Sequence, residues 1–479
     1  MLKALLLVSM ASWVLGACGG DDGGVGHLAD APPPPSDGPE PDAGPVMGPV
    51  TLTVTQNGAP RAGVHVYFLN ADSSVVATKD TGADGKASAV MVAGGSVTAL
   101  DPFAPLVRPA VGAVADNNND LRTFMGVKPG DDLVLSQTDF VGTTVTFTLS
   151  AKAPTIASNS YLVFTTCGTV SIATDGRGID PSSEITLPGE NATSDCHGVA
   201  DIVIEAREFD GESNNVVGAL YHENVAVTGG GKVDLSADEY KPFEDVSFRY
   251  MHAPQDRLIT VERTIGTAHG RFGDLALSAS GLPDIEGNAS FPFETPAVPG
   301  ATRIVDTIVD LNGRHHVVES VTSNQYTLDL TSVLLPDLRD APFYNPATQR
   351  MSWHEETAAT VRPDATTLGL EILRDNQRWT WAVAAPWTPG GELLLPRLPT
   401  DVRDFNPQIK DAINIDTLRN AQVPGGYDKL RPHVHDIADV AGFAPQAGRA
   451  VVVELRSFRG AGAQRSAALA PAAARASAP

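Results

Sequence analysis

The chain has 479 residues, enough for three or four domains, with 42% hydrophobic and 19% charged residues, an ordinary globular balance. Its formal net charge of −23 repels phosphate backbones and anionic surfaces, which argues against nucleic acid as a partner. Glycine (45) and proline (36) are frequent, and Leu, Glu, Lys and Ala at helical spacing are scarce. That combination favours many turns over long helices and points to an all-β chain.

The N-terminus carries Lys3, an apolar run from Ala4 to Val14, and small residues before Cys18. This is the layout of a secretory signal. As a helix the apolar run spans about 16 Å, short of the roughly 30 Å of a bilayer core. The four residues Leu15-Gly16-Ala17-Cys18 resemble the lipobox of a bacterial lipoprotein signal peptide. The resemblance implies cleavage before Cys18, with lipid on its thiol and on the new amine. Two or more acyl chains give lasting anchorage, making a membrane the first expected partner. Gly19 follows the cysteine, without the Asp that marks inner-membrane retention in many such lipoproteins, so outer-membrane sorting is expected. Losing residues 1–17 leaves the chain one charge more negative.

From Gly19 to Pro49 there is no Lys or Arg, but there are six carboxylates and the run Pro32–Pro35. Residues 18–49 are expected to be a disordered acidic tether, too poor in apolar mass to fold. Val50, Leu52 and Val54 then alternate with Thr51, Thr53 and Thr55. Turn residues recur every ten or so positions, the mark of a β-sandwich over 50–101. Gly58, Pro60, Gly63-Val64-x-Val66, Thr81, Asp84-Gly85 and Gly94-Gly95 resemble the carboxypeptidase regulatory-like family. Those transthyretin-like sandwiches are structural and binding modules, and the resemblance implies no catalytic residue.

Asp116, Asn118 and Asp120 share the spacing that opens an EF-hand loop, but Leu121 stands where its glycine belongs and Val127 where its glutamate does. A polar surface loop is the expectation there. Residues 102–245 read as a second β-domain holding Cys167 and Cys196. Export places both in an oxidising compartment, where they are expected to pair. Such a bridge adds about 3–4 kcal/mol. His197 beside them leaves a zinc set incomplete, so no metal is expected.

Residues 246–341 read as a third β-domain, with Asn312-Gly313 as a two-residue hairpin turn. His315 and His316 adjoin in a strand and are expected on opposite faces. Residues 342–458 carry Met351-Ser352-Trp353, Leu368–Leu373 and Trp379-Thr-Trp-Ala-Val383, and resemble a fibronectin type III-like sandwich. Trp379 and Trp381 share a face, as core packing or as a carbohydrate-stacking platform, with core packing the expectation. Residues 407–421 are the one expected helix, begun by Pro407. His433-x-His435-Asp436 reads as a solvated loop, and 459–479 as a disordered tail.

No G-x-S-x-G, H-E-x-x-H, P-loop or G-x-G-x-x-G after a strand is present, and His354-Glu355-Glu356 lacks a second histidine. The sequence therefore points to tandem β-sandwich (Ig-like and transthyretin-like) domains behind a lipidated tether. The expected function is a non-catalytic binding, adhesion or scaffold module of the outer membrane, needing no cofactor. Its expected ligand is an envelope protein or polysaccharide. The alternative is a lipid-anchored, glycosidase-like enzyme acting on envelope or extracellular polymers through acids scattered over 246–460.

Overall fold

The computed structural model describes residues 45–56, 58–100, 119–137, 145–151, 160–166, 168–173, 184–187, 199–209, 214–226, 232–235, 241–356, 361–374, 377–399, 405–433 and 449–459. Cys18, Cys167 and Cys196 lie outside these residues, as do residues 18–44 of the expected tether and residues 460–479 of the expected tail. Residues 45–479 group as one compact unit.

The described part is almost entirely strand, as the composition predicts. In chain order the strands are β1 (Met47–Gln56), β2 (Ala59–Pro60), β3 (His65–Leu69), β4 (Val75–Asp80), β5 (Lys86–Val92), β6 (Gly95–Leu100), β7 (Asn119–Val127) and β8 (Asp132–Gln137). Next come β9 (Val145–Ala151), β10 (Ser160–Thr165), β11 (Gly168–Ala173), β12 (Glu184–Leu187), β13 (Val199–Phe209), β14 (Asn214–Ala226) and β15 (Lys232–Leu235). A third run holds β16 (Glu244–Met251), β17 (Ile259–Thr267), β18 (Gly270–Gly281), β19 (Ala289–Thr295), β20 (Thr302–Asp310), β21 (Arg314–Val321) and β22 (Gln325–Asp329). The last are β23 (Phe343–Asn345), β24 (Arg350–Ser352), β25 (Ala365–Arg374), β26 (Gln377–Pro386), β27 (Glu392–Leu394), β28 (Ala412–Gln422) and, after the short helix α1 (Tyr427–Leu430), β29 (Ala450–Arg459).

Twelve of these strands form one sheet in the order β18-β17-β20-β21-β29-β28-β25-β26-β7-β6-β3-β4. Successive side chains of a strand face opposite ways, so this sheet serves two cores. On one face Leu121, Val261, Val309, Leu370 and Trp381 pack against β16, β19 and β22 and against β23, β24 and β27. On the other, Phe68, Val97, Phe124 and Ala384 pack against Val50, Leu52 and Val54 of β1, Ala89 of β5 and Leu133 of β8. The alternation read from Val50 onward thus builds a genuine sandwich. It is completed by β7 and by β8, which lies parallel to β1. Gly85 in its Asp-Gly turn has φ +72°, and a Cβ there would come within 2.5 Å of the Val54 carbonyl oxygen. Both conditions demand glycine.

Two parts of the large sheet, β18 to β26 and β7 to β4, join at β7 and β26, the parallel pairing within it among the described strands, from Trp379↔Asn119 to Ala384↔Phe124. Trp381 Nε1 donates to Thr123 Oγ1 across the seam at 2.9 Å, and the Thr380 hydroxyl donates to Asp120. Helix α1 fastens the same junction. The Tyr427 hydroxyl lies 2.9 Å from the carbonyls of both Met125 on β7 and Ala384 on β26. Buried Arg431 donates to the Gly126 carbonyl, Asp131 and Asp428, and lies over the Tyr427 ring.

Two expectations are corrected. Residues 412–422 are strand β28, not part of a helix. Asp411 accepts from the Gln408 amide and from two guanidinium nitrogens of Arg374, closing a turn. Ile413 and Ile415 then alternate into the core at period two. The loop between β20 and β21 has three residues rather than two, since Asp310 pairs with Arg314.

Arg263 on β17 is 0% exposed and lies over the Phe293 ring, and among the described residues none of its three guanidinium nitrogens has a hydrogen-bond partner. It sits between Val261, which belongs to the large core, and Ile265, which belongs to a smaller one with Phe164, Val203 and Phe272. The nearby carboxylate of Glu205 is spent on Arg207. Burial, reinforced by the Arg303 guanidinium, brings the Arg263 pKa down to about 10. A buried charge without hydrogen-bond partners is costly, a ring face offsetting only part of the loss, and apolar replacements of buried ions are often neutral or stabilising. Arg263→Met is therefore expected to leave unfolding stability unchanged or raise it by up to about 2 kcal/mol in denaturant titration. A clear loss would show that the guanidinium is supported.

Candidate functional site

On the face of the large sheet that carries Phe124 and Ala384, a groove of about 340 Å³ opens over β7, β26, β25 and β28. Its floor is set by register. Thr417, Gly369, Ala382 and Arg122 lie side by side across four strands. Two small residues in the middle of that row leave the backbone uncovered. A Cβ on Gly369 would come within 2.8 Å of Thr417 Oγ1, so glycine keeps the floor low. The bulge that leaves Asp416 without a partner on β25, between Gly369 and Leu370, widens the opening.

Charged groups stand around this floor in fixed pairs. Arg378 bonds Glu371, which also accepts from Asn414 Nδ2 at 2.9 Å. Arg419 Nε donates to Glu454 Oε2 at 2.7 Å with both residues buried. Arg122 lies 3.8 Å from Asp120. The hydroxyls of Thr380 and Thr417 complete the rim. The groove therefore offers guanidinium donors, carboxylate acceptors and hydroxyls on a rigid surface, with no histidine or cysteine in its lining. Such a set can hydrogen-bond a polyhydroxylated chain.

Of the residues singled out in the sequence, Trp381 and Asp120 border the groove, Asp120 through Thr380 and Arg122, and the others fall elsewhere. Trp379 and Trp381 are 2% and 0% exposed, so they are core and not a stacking platform. Arg374 lies over Trp379, and Phe405 meets its edge. His315 and His316 do face opposite ways: His315 is buried against Asp337, and His316 pairs with Asp306 at 2.9 Å. In His354-Glu355-Glu356, Glu355 Oε1 accepts from Trp353 Nε1, Trp387 Nε1 and Asn420 Nδ2 at 2.7–2.8 Å. That is a structural clamp. Asp120 lies on β7, whereas residues 116–118, His435 and Asp436 fall outside the described residues. Among the described residues no three His, Cys, Asp or Glu side chains converge as a metal site needs.

The groove was not legible as a site. Its members come from positions 122, 368–382 and 416–419, which only the sheet register unites. The one local signal was an isolated glycine between Leu368 and Leu370, which in a strand marks a bulge or a close approach.

No protein-family model matches the chain, and no curated protein matches it. Solved structures that align with it include the Bacillus anthracis TIE protein, at 13% identity over 59% of this chain and 49% of that one, with a TM-score of 0.14. A streptococcal ancillary pilin aligns at 9% identity over 59% of this chain and 98% of its own, with a TM-score of 0.16. The pilus adhesin SpaC of Lactobacillus rhamnosus GG aligns at 11% identity over 72% and 44%, with a TM-score of 0.13. This chain spans about half the length of the first. At such TM-scores these likenesses carry no argument about what the chain does.

Asp337 is a buried anchor that tests how much these polar clamps contribute. It accepts from Asn312 N, Asn312 Nδ2, Gly313 N and Leu338 N at 2.9–3.2 Å, and from His315 Nε2 at 3.3 Å. Burial by itself would raise its pKa, but the His315 ring and the Gly313 and Asn312 amides overcome it and hold the carboxyl below the usual range. A depressed folded-state pKa means that the contribution is complete above about pH 4 and is lost as pH falls through the folded value. Asp337→Asn is expected to cost about 2 kcal/mol at neutral pH in denaturant titration. The difference from wild type should shrink as the medium is acidified below pH 4.

Proposed function

We propose that the chain is an outer-membrane lipoprotein, anchored through Cys18, whose β-rich body is a non-catalytic binding, adhesion or scaffold module of the cell envelope. In this reading the sandwich begun at Val50 is carboxypeptidase regulatory-like, Cys167 pairs with Cys196, and the acidic tether holds the body off the bilayer. The groove over Gly369 and Ala382 is the ligand seat, and its ligand is an envelope or matrix saccharide. The observation that carries the reading is the composition of that groove. Its guanidinium, carboxylate and hydroxyl groups are pre-set on four strands, so a ligand rich in hydroxyls meets donors and acceptors that need no reordering. The mixed signs favour neutral sugars over a strongly anionic ligand.

Two measurements test this. Cells fed labelled palmitate are expected to label the wild type and not a Cys18→Ser variant; equal labelling of both contradicts the anchor. A glycan array probed with the full chain is expected to give saccharide hits. Arg378→Ala together with Thr417→Ala should weaken them at least tenfold without changing the melting temperature by more than a few degrees. Hits that the double variant leaves intact would place the ligand elsewhere.

A further inference from the structure

Away from the groove, two adjoining loops present apolar side chains to solvent. One runs from Met251 to Leu258 between β16 and β17, the other from Leu282 to Asn288 between β18 and β19. Ile285 is 91% exposed and Leu282 65%, with Met251 and Leu258 also exposed. These loops are braced. Ala253 N donates to the Gly287 carbonyl and Gln255 Nε2 to the Ile285 carbonyl, both at 2.8 Å. The Asp284 carboxylate accepts from the amides of Glu286 and Asn288, and the Asn288 amide foremost holds that carboxyl below its usual range, so it is ionised. His252 and Asp256 take left-handed φ values of +53° and +61°, with His252 Nδ1 3.1 Å from Asp329. Aspartate and histidine are among the non-glycine residues that adopt that region most readily, so both fit these turns.

A depression of about 440 Å³ adjoins the loops, lined in part by Arg249, Met251, Asp284 and Thr327. The charges on and beside the two loops are mainly negative. Asp256, Asp284 and Glu286 stand there against Arg249 and Arg257, while Asp329 is paired with His252 and Asp310 with Arg314. Exposed apolar residues rimmed by charge mark interaction surfaces.

We infer that this braced apolar tip, with its carboxylate rim and the depression beside it, is a docking surface for a polypeptide segment that presents an apolar side chain flanked by lysine or arginine. Charge complementarity chooses the occupant. The rim repels anionic lipid and favours a cationic chain, and the net charge of −23 adds long-range attraction for it. The apolar centre requires more than charge, since it is the part that gains by leaving water. This surface is separate from the saccharide groove and does not depend on that reading.

The test uses fluorescein-labelled short peptides and the full chain, read by anisotropy. A peptide alternating lysine and leucine is expected to bind. One alternating lysine and serine, and one alternating glutamate and leucine, are expected to bind at least tenfold more weakly. The double variant Leu282→Ser, Ile285→Ser, altered only at exposed positions, should lose the lysine-leucine peptide by at least tenfold and keep any glycan-array signal. Equal binding by the variant, or equal binding of the lysine-serine or glutamate-leucine peptide, overturns the proposal. So does a variant whose only losses are adsorption to phosphatidylcholine vesicles or self-association in sedimentation.

Discussion

The architecture depends on a short parallel pairing. Six positions of β7 and β26 lie side by side, and residues joined across them stand 260 positions apart in the chain. Remove it, and the twelve-stranded sheet becomes two sheets with two new edges, β7 and β26, to cover. Parallel pairing is slightly weaker per residue than antiparallel, so its neighbours matter. Trp381 bonds Thr123 across the seam, and Tyr427 bonds carbonyls on both strands at once. Arg431, buried and shared among Asp131, Asp428 and the Gly126 carbonyl, extends that fastening to the turn before β8. These are bonds whose loss would leave buried groups unpaired, which is why a few of them count for more than their number.

The sequence reveals faces well and partners poorly. Val50, Leu52 and Val54 point to one core because the period is two, and Trp379 and Trp381 share a face for the same reason. Opposite placement of His315 and His316 follows from the same alternation. Pairing is different. Nothing local in Asn119–Val127 says that its neighbour is Gln377–Pro386, because a parallel partner leaves no turn between the two strands. The segment after Pro407 misled for a related reason. Proline there suits a helix start as well as a turn, and the choice was made by Arg374, a distant residue whose guanidinium holds Asp411.

The charged residues show the same split. Glu355, Asp337, Asp411 and Glu454 look in the sequence like scattered acids. In the fold each is committed to donors that hold loops or strands in place. A high count of acids therefore gave no guide to chemistry. The groove became visible only when register set Gly369 beside Ala382 and Thr417. The apolar tip was hidden for another reason. Ile285 and Leu282 read as ordinary apolar residues near a turn, and only the backbone bracing shows that they are held outward.

If the junction of β7 and β26 is the constraint that unites the body, the strands on its two sides must unfold together. Hydrogen exchange of the full chain under increasing denaturant measures this directly, read on peptides from 50–100 and from 302–321. The account predicts that both groups lose protection at one denaturant concentration, with one slope, along with peptides covering 119–127 and 377–386. Loss of protection in 50–100 at a clearly lower concentration than in 302–321, with the latter still intact, would contradict it.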